Sequence, residues 1–433
     1  MNIPWIESMP NHWHTLRAKN MFEKQNRPIC DQDDVVTCFR DGMVTLRKNR
    51  RTTGFTESTQ WSGYQGVRKG DLVIHVMDAF AGAIGVSDSD GKSTPVYSVC
   101  TPKIDLNNYY YAYLLREMAR TGFIQSLYRG IRERSSDFRF EVFAGLNLPL
   151  PPRDEQDQIV RYLDWKVSQI NKLINVKKRQ IVILKEKRRN LIDSVIGNNE
   201  GKKHRFKNIF LLYKGLGITK ADLRDEGIPC VNYGDIHSRY GFEVNPRCHA
   251  LKNVDEFYLE QSPKSLLQNG DFIFADTSED LVGSGNFTYL NSDVKTFAGY
   301  HTIIARASLQ LKHRYVAYYF DSYKFRTQIR QRVNGVKVYS ITRSILNSTF
   351  VELPNEAMQD RIVAMLDRAC HAIDRSLELL NKELLLFAEY RIRLISDVVT
   401  GKKDVGDITI PQYETTEITT EDNKSDTEDE EHG

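Results

Sequence analysis

Two stretches of this chain spell nearly the same thing. LPPRDEQDQIV occupies residues 150–160 and LPNEAMQDRIV occupies 353–363, with six of eleven positions identical. The likeness runs on. At alternating steps of three and four the first copy reads Val160, Leu163, Val167, Ile170, Ile174, Lys177, Ile181, Leu184, Arg188, Leu191, Val195. Adding 203 to each number gives Val363, Leu366, Cys370, Ile373, Leu377, Leu380, Leu384, Phe387, Arg391, Leu394, Val398. Apolar residues kept to this spacing over five heptads predict a coiled-coil seam rather than a short amphipathic helix. The two arginines on the seam, Arg188 and Arg391, fall on equivalent positions and must meet a carboxylate or reach the edge of the seam.

The ends of the two segments agree with this reading. Pro151 and Pro152 can precede a helix but not lie within one, Asp154 and Asn355 are good N-caps, and Gly197 and Gly401 are stop signals followed by paired lysines. Each helix is expected to span about 40 residues, roughly 60 Å. The remaining sequence repeats more faintly and in the same order. KNMF at residue 19 matches KNIF at 207, and GDLVIH at 70 matches GDFIFA at 270, each of the latter reading as a turn and a short buried strand. YYAYLLRE at 110 matches YVAYYFDS at 315, and GIR at 130 matches GVK at 335.

The chain therefore reads as two copies of one unit, a globular domain followed by a long helix. The fold class is α+β: two homologous globular α/β domains in pseudo-twofold arrangement, separated by two long antiparallel coiled-coil helices. The expected boundaries are 1–150 and 199–352 for the domains, 151–198 and 353–401 for the helices, and 402–433 for a tail. Antiparallel pairing follows from length. The second domain begins where the first helix ends and ends where the second begins, and a domain of that size bridges 60 Å poorly. Buried seams would then make the helix pair a ruler of fixed length.

Charge separates the tail from the body. From residue 412 onward the sequence carries nine acids and one lysine, net −8, so the remainder is +11 out of a total of +3. Such a tail is expected to be disordered, and in a sharper reading it competes with an acidic ligand for the basic body. Six cysteines without a CxxC pair suit reduced thiols in a cytoplasmic chain. No apolar run approaches a membrane span, and the N-terminus has no secretory pattern.

Two related readers at fixed separation suit duplex DNA, and the basic segments speak for it. Arg40, Arg47, Lys48, Arg50 and Arg51 stand among Thr, Asn and Gly. Arg129, Arg132, Arg134 and Arg139 stand beside Ser135 and Ser136. In the second half Arg326, Arg330, Arg332, Lys337 and Arg343 lie beside Asn334, Tyr339 and Ser340. Arginine grips phosphate or reads guanine, and Asn or Gln reads adenine. The candidate DNA-binding set is Arg47, Lys48, Arg50, Arg51, Arg132, Arg134, Arg139, Arg330, Arg332, Lys337, Tyr339 and Arg343; a solvated basic surface is the plainer alternative. SDSDGKSTP has the wrong glycine spacing for a phosphate loop. LPPR lacks the residues that flank the two prolines in amino-methyltransferases, and His12 and His14 lack companion ligands. No metal, catalytic or cofactor set emerges.

The repeated LPxxxxQxxIVxxLD, here Leu150, Pro151, Gln156, Ile159, Val160, Leu163, Asp164 and again Leu353, Pro354, Gln359, Ile362, Val363, Leu366, Asp367, resembles the specificity subunit of type I restriction–modification enzymes. So does the helix ending LISDVVTGK, which shortens to LIDSVIG in the first copy. The resemblance covers residues 1 to about 405. It implies a non-catalytic subunit in which each target-recognition domain reads one half of a bipartite DNA target. The helices would set the spacer and dock two modification subunits, which carry S-adenosylmethionine and methylate a flipped adenine. Restriction subunits would add ATP- and Mg-dependent translocation and cleavage. A coiled-coil scaffold with non-specific DNA affinity is the alternative reading.

Overall fold

A computed structural model describes residues 3–30, 32–50, 62–127, 138–335 and 338–419. The chain divides into two compact units, one of Met1–Lys178 with Asn381–Gly433 and one of Arg179–Leu380. Each unit thus takes half of each long helix, so the compact bodies do not coincide with stretches of sequence.

In the first unit an antiparallel sheet runs in the order Phe22–Lys24, Tyr97–Pro102, Leu72–His75, Ile84–Val86. Its middle strands are almost wholly buried, and helix Asn108–Arg120 packs its Tyr110, Tyr111, Leu114 and Leu115 into the same core. Asn107 caps that helix, its side chain accepting from the amides of Tyr109 and Tyr110. In the second unit the order is Phe210–Lys214, Thr302–Ala307, Phe272–Ala275, Phe287–Leu290, with Phe242–Val244 added at the edge. Four strands therefore repeat in the same spatial order. Helix His313–Asp321 takes the place of Asn108–Arg120, over a core rich in phenylalanine: Phe206, Phe210, Phe272, Phe274, Phe287, Phe320 and Phe325.

The two Gly-Asp turns share one design. Gly70 and Gly270 have φ of 93° and 89°, a region costly for residues with a Cβ. The aspartate that follows closes its own turn: Arg68 N donates to Asp71 at 2.7 Å and Gln268 N to Asp271 at 2.8 Å. Both carboxylates are buried, and each takes an arginine, Arg27 for Asp71 and Arg306 for Asp271.

The long helices span Arg153–Gly197 and Glu356–Val399, 45 and 44 residues without a break. Antiparallel pairing is visible inside each unit. In the first, Asn171 meets Arg391 and Lys177 meets Glu383, so numbers rise on one helix as they fall on the other. In the second, strand Lys202–Arg205 leaves the first helix and pairs antiparallel with Phe350–Leu353, which leads into the second. His14–Arg17 and Asn147–Leu150 form the equivalent ribbon in the first unit. Seam residues Ile170, Ile174, Ile181, Leu366, Cys370, Ile373, Leu394 and Val398 are buried, whereas Leu377, Leu380, Leu384 and Phe387 are half-buried.

Three expectations change. The first helix starts at Arg153, so Asp154 lies inside its first turn and the Pro152 carbonyl accepts the first amide, from Gln156 at 3.0 Å; Asn355 does cap the second, accepting from Met358 N at 2.9 Å. Arg188 meets two carboxylates, Asp374 and Asp321, both at 3.0 Å, but Arg391 meets none among the described residues and donates to the amide oxygen of Asn171 at 3.0 Å. The tail is not free from residue 402. Residues 405–419 lie extended along the first long helix, held by side-chain bonds described below, because amide and hydroxyl groups on the helix satisfy their backbone; residues 420–433 fall outside the described residues.

Candidate nucleic-acid interface

The repeated motif fastens each domain to its helix. Gln156 and Gln359, both buried, donate to the carbonyls of Pro151 and Pro354 at 2.9 and 2.7 Å, closing the turn before each helix. The motif aspartates receive tyrosines from the aromatic helices: Tyr113 to Asp164 at 2.8 Å, Tyr318 to Asp367 at 2.7 Å. In the second unit Arg314 enlarges this joint, bonding Asp367, the Tyr289 hydroxyl and Glu243. Burial pushes Tyr289 up to about 12, helped by Glu243. In the first unit the N-terminal segment adds a joint of its own, where His12 and Trp13 both reach Glu155 at 2.9 Å. Domain orientation on the helix therefore rests on side chains that the motif supplies.

The candidate DNA-binding residues fall into two groups. In the first unit Arg47 and Lys48 lie on a single 3-10 turn, Arg47–Asn49, with Arg50 next to it. Lys48 pairs with Asp34 at 2.5 Å; Arg50 pairs with Asp41 at 2.6 Å and stacks on Phe39 at 4.5 Å. Arg139 precedes helix Phe140–Gly145. Arg51, Arg132, Arg134 and Lys337 lie outside the described residues.

In the second unit Arg330 ends helix Tyr323–Arg330 and Arg332 lies two residues beyond it; they bond the carbonyls of Val282 (2.5 Å) and Gln328 (2.6 Å) respectively. Tyr339 sits in strand Tyr339–Ser340, paired with Thr277–Ser278, and Arg343 is exposed at the start of helix Arg343–Ser348. Burial, with Arg326 and Arg189 nearby, lowers the affinity of Arg330 for its proton. Its Nε is buried without a hydrogen-bond partner among the described residues. Asp280 and Tyr323 act in the opposite direction on Arg330, so the positive charge here is partly balanced.

A polar chain that the sequence did not suggest runs through the second unit. His237 Nε2 donates to the Thr277 carbonyl at 2.9 Å, so its Nδ1 accepts from Asn286 Nδ2 at 2.9 Å. Asn286 Oδ1 accepts from Arg326 at 2.6 Å, Arg326 pairs with Asp321 at 2.9 Å, and Asp321 with Arg188 on the long helix. Burial raises the Asp321 carboxyl, but Arg326 and Arg188 more than reverse this and hold it below the usual carboxylate range. The strand beside Tyr339 is thus tied to the helix pair through side chains alone. Only Arg188 carried a signal for this in the sequence, since an arginine on an apolar seam needs a partner.

The helices also present apolar residues to solvent at repeat-equivalent positions. Val176, Val182 and Ile183 on the first are 43%, 47% and 60% exposed, and Leu379, Leu385 and Leu386 on the second are 57%, 72% and 63% exposed. Each number in the second set is 203 above its counterpart. Lone exposed leucines are ordinary, but here apolar side chains stand exposed at three equivalent positions on both helices. No helix among the described residues is long and apolar enough to cross a membrane.

No family model matches the chain. It is 20% identical over 282 residues to the type I restriction enzyme MjaVIII specificity subunit of Methanocaldococcus jannaschii, a match covering 60% of this chain and 63% of that protein. The chain thus spans under two thirds of that relative's length. Its fold is shared with a chain solved in work on the "structural basis underlying complex assembly and conformational transition of the type I R-M system", with TM-score 0.68, 13% identity, and coverage of 92% of this chain and 100% of that one. The HsdS subunit from Thermoanaerobacter tengcongensis also aligns, with TM-score 0.49, 14% identity and coverage of 92% and 98%.

Proposed function

We propose that this chain is the DNA-reading specificity subunit of a type I restriction–modification complex. Each domain reads one half of a bipartite target in double-stranded DNA, and the helix pair sets the unread spacer. The helices dock two modification subunits. Chemistry belongs to those partners: S-adenosylmethionine is held by the modification subunits, and ATP and Mg by restriction subunits that join the complex in the cytoplasm. The chain itself is non-catalytic.

The observation that carries the reading is the repetition of the whole assembly unit. The same strand order, Gly-Asp turn and tyrosine–aspartate joint occur once per unit, and an exposed apolar triplet occurs once per long helix. A chain that doubles both its domain and its docking face is suited to two half-sites and two equal partners. The sequence relative and the fold neighbour point the same way.

The test is methylation by the purified chain with its modification subunits. Methyl transfer confined to one bipartite sequence, with binding that falls steeply as salt rises, is the expected result. Methylation without sequence preference contradicts the reading, and a complex that holds the partners but ignores DNA favours a scaffold. Arg330→Ala is expected to weaken binding uniformly across sequences and to reduce the salt slope by about one. An altered base preference with an unchanged slope would place Arg330 on a base edge.

A further inference from the structure

The two long helices carry equivalent rows that are not equally open. Every seventh residue returns to one face in a coiled-coil helix. On the first helix one such row is Ser168, Asn175, Val182, with Asn171 one turn after Ser168. On the second, 203 residues on, it is His371, Glu378, Leu385, with Asp374 beside His371, and it runs on to Ile392. His371, Asp374, Glu378, Leu385 and Ile392 are all exposed, whereas Ser168, Asn171 and Asn175 are buried.

Residues 405–419 bury them. Gln158 donates to the carbonyls of Val405 at 3.0 Å and Ile408 at 2.7 Å. Ser168 Oγ donates to Glu414 O at 3.0 Å and accepts from Thr416 N at 2.7 Å. Asn171 donates to Thr416 O at 3.0 Å; Asn175 donates to Glu417 O at 2.8 Å and accepts from Thr419 N at 3.0 Å. Ile408, Ile410 and Ile418 pack on the core of the first unit. The segment is an extended strap with no regular structure of its own, read by a ladder of helix side chains.

The ladder belongs to one helix only. Ser, Asn and Gln can donate to a carbonyl and accept from an amide at once. The equivalents of Gln158, Ser168, Asn171 and Asn175 are Arg361, His371, Asp374 and Glu378. Asp and Glu accept only, and Asp374 is engaged by Arg188. A strap cannot be held there in the same way, and that row stays open down to Leu385 and Ile392.

We propose that the strap makes the two docking rows unequal: it competes for the row on the first helix with the kind of partner that the second helix accepts freely. One partner subunit then binds the open row first, and the second binds only as residues 405–419 lift. This rests on the reading of the chain as a carrier of two modification subunits.

The experiment is a titration of the full-length chain with the modification subunit, followed by native mass spectrometry. Two steps are expected, separated by about tenfold or more in affinity, within the range of ordinary coupling between sites. A chain ending at Asp404 is expected to bring the two steps within about threefold. A chain ending at Thr419, which keeps the strap, is expected to behave like the full length. In the Asn175→Cys, Thr419→Cys double variant, oxidation is expected to hold the complex at one partner and reductant to restore the second, a result that does not depend on how well the shortened chain folds. Equal steps in the full-length chain overturn the proposal. So does a difference that survives both loss and cross-linking of the strap, or one abolished by the cut after Thr419 alone. A chain that binds no modification subunit in any form overturns instead the function on which the proposal rests.

Discussion

Asp271 and Arg306 show how much one buried pair decides. The carboxylate closes the Gly270 turn and holds Arg306 at 2.6 Å, tying the turn before strand Phe272–Ala275 to the neighbouring strand Thr302–Ala307. Removing one partner of a buried pair leaves an uncompensated charge, so Arg306→Leu is expected to cost about 3–5 kcal/mol, read as a lower urea midpoint of unfolding. Loss below about 1 kcal/mol would mean that water reaches Asp271. The turn itself was legible, because Gly-Asp before a buried strand is a local pattern. Its arginine was not, since Arg306 lies far away in sequence and any of many arginines could have served. Arg188 was legible for the opposite reason. A cation on an apolar seam demands a partner, and Asp374 and Asp321 supply it. Asp321 titrates lower folded than unfolded, so its contribution is present above the ordinary carboxylate range and is lost as pH falls through its folded value. Unfolding measured between about pH 5 and pH 2 should therefore show a smaller acid loss in Asp321→Asn than in the unaltered chain. Equal losses would remove Asp321 from the account.

Among the elements, the long helices were the most legible, because a spacing of three and four is a property of sequence alone. Their joints to the domains were half legible. The motif's Gln and Asp could be seen to repeat, but that they bind a proline carbonyl and a tyrosine needed the fold. Tyr113→Phe and Tyr318→Phe each remove one hydrogen bond to a partly exposed carboxylate and should each cost about 1 kcal/mol. If the joint orients the domain, the same changes should weaken target methylation beyond that loss. Unaltered methylation at equal stability would make the joint a packing feature only. The strap escaped the sequence reading because acidic, threonine-rich sequence resembles a free tail, and its receptor resembles a solvated helix face. The signal was there in the comparison of copies: uncharged Ser168, Asn171 and Asn175 stand where the second helix has His371, Asp374 and Glu378.

For the molecule as a whole, the central claim is that two related domains read one DNA duplex while an unbroken helix pair fixes the distance between the halves they read. At 1.5 Å per residue the first helix, of 45 residues, is about 67 Å long. A four-residue insertion after Ile174 breaks heptad phase and should abolish or reset the preferred spacing. A seven-residue insertion keeps phase. Placed in both helices at matching levels, after Lys178 and after Lys382, which the Lys177 to Glu383 pair aligns, it adds roughly 10 Å, or about three base pairs at 3.4 Å each. The decisive measurement is sequencing of methylated sites in cells that express this double insertion with the modification subunit. The account predicts the same two half-sites with a spacer longer by about three base pairs; an unchanged spacer at full methylation would contradict it.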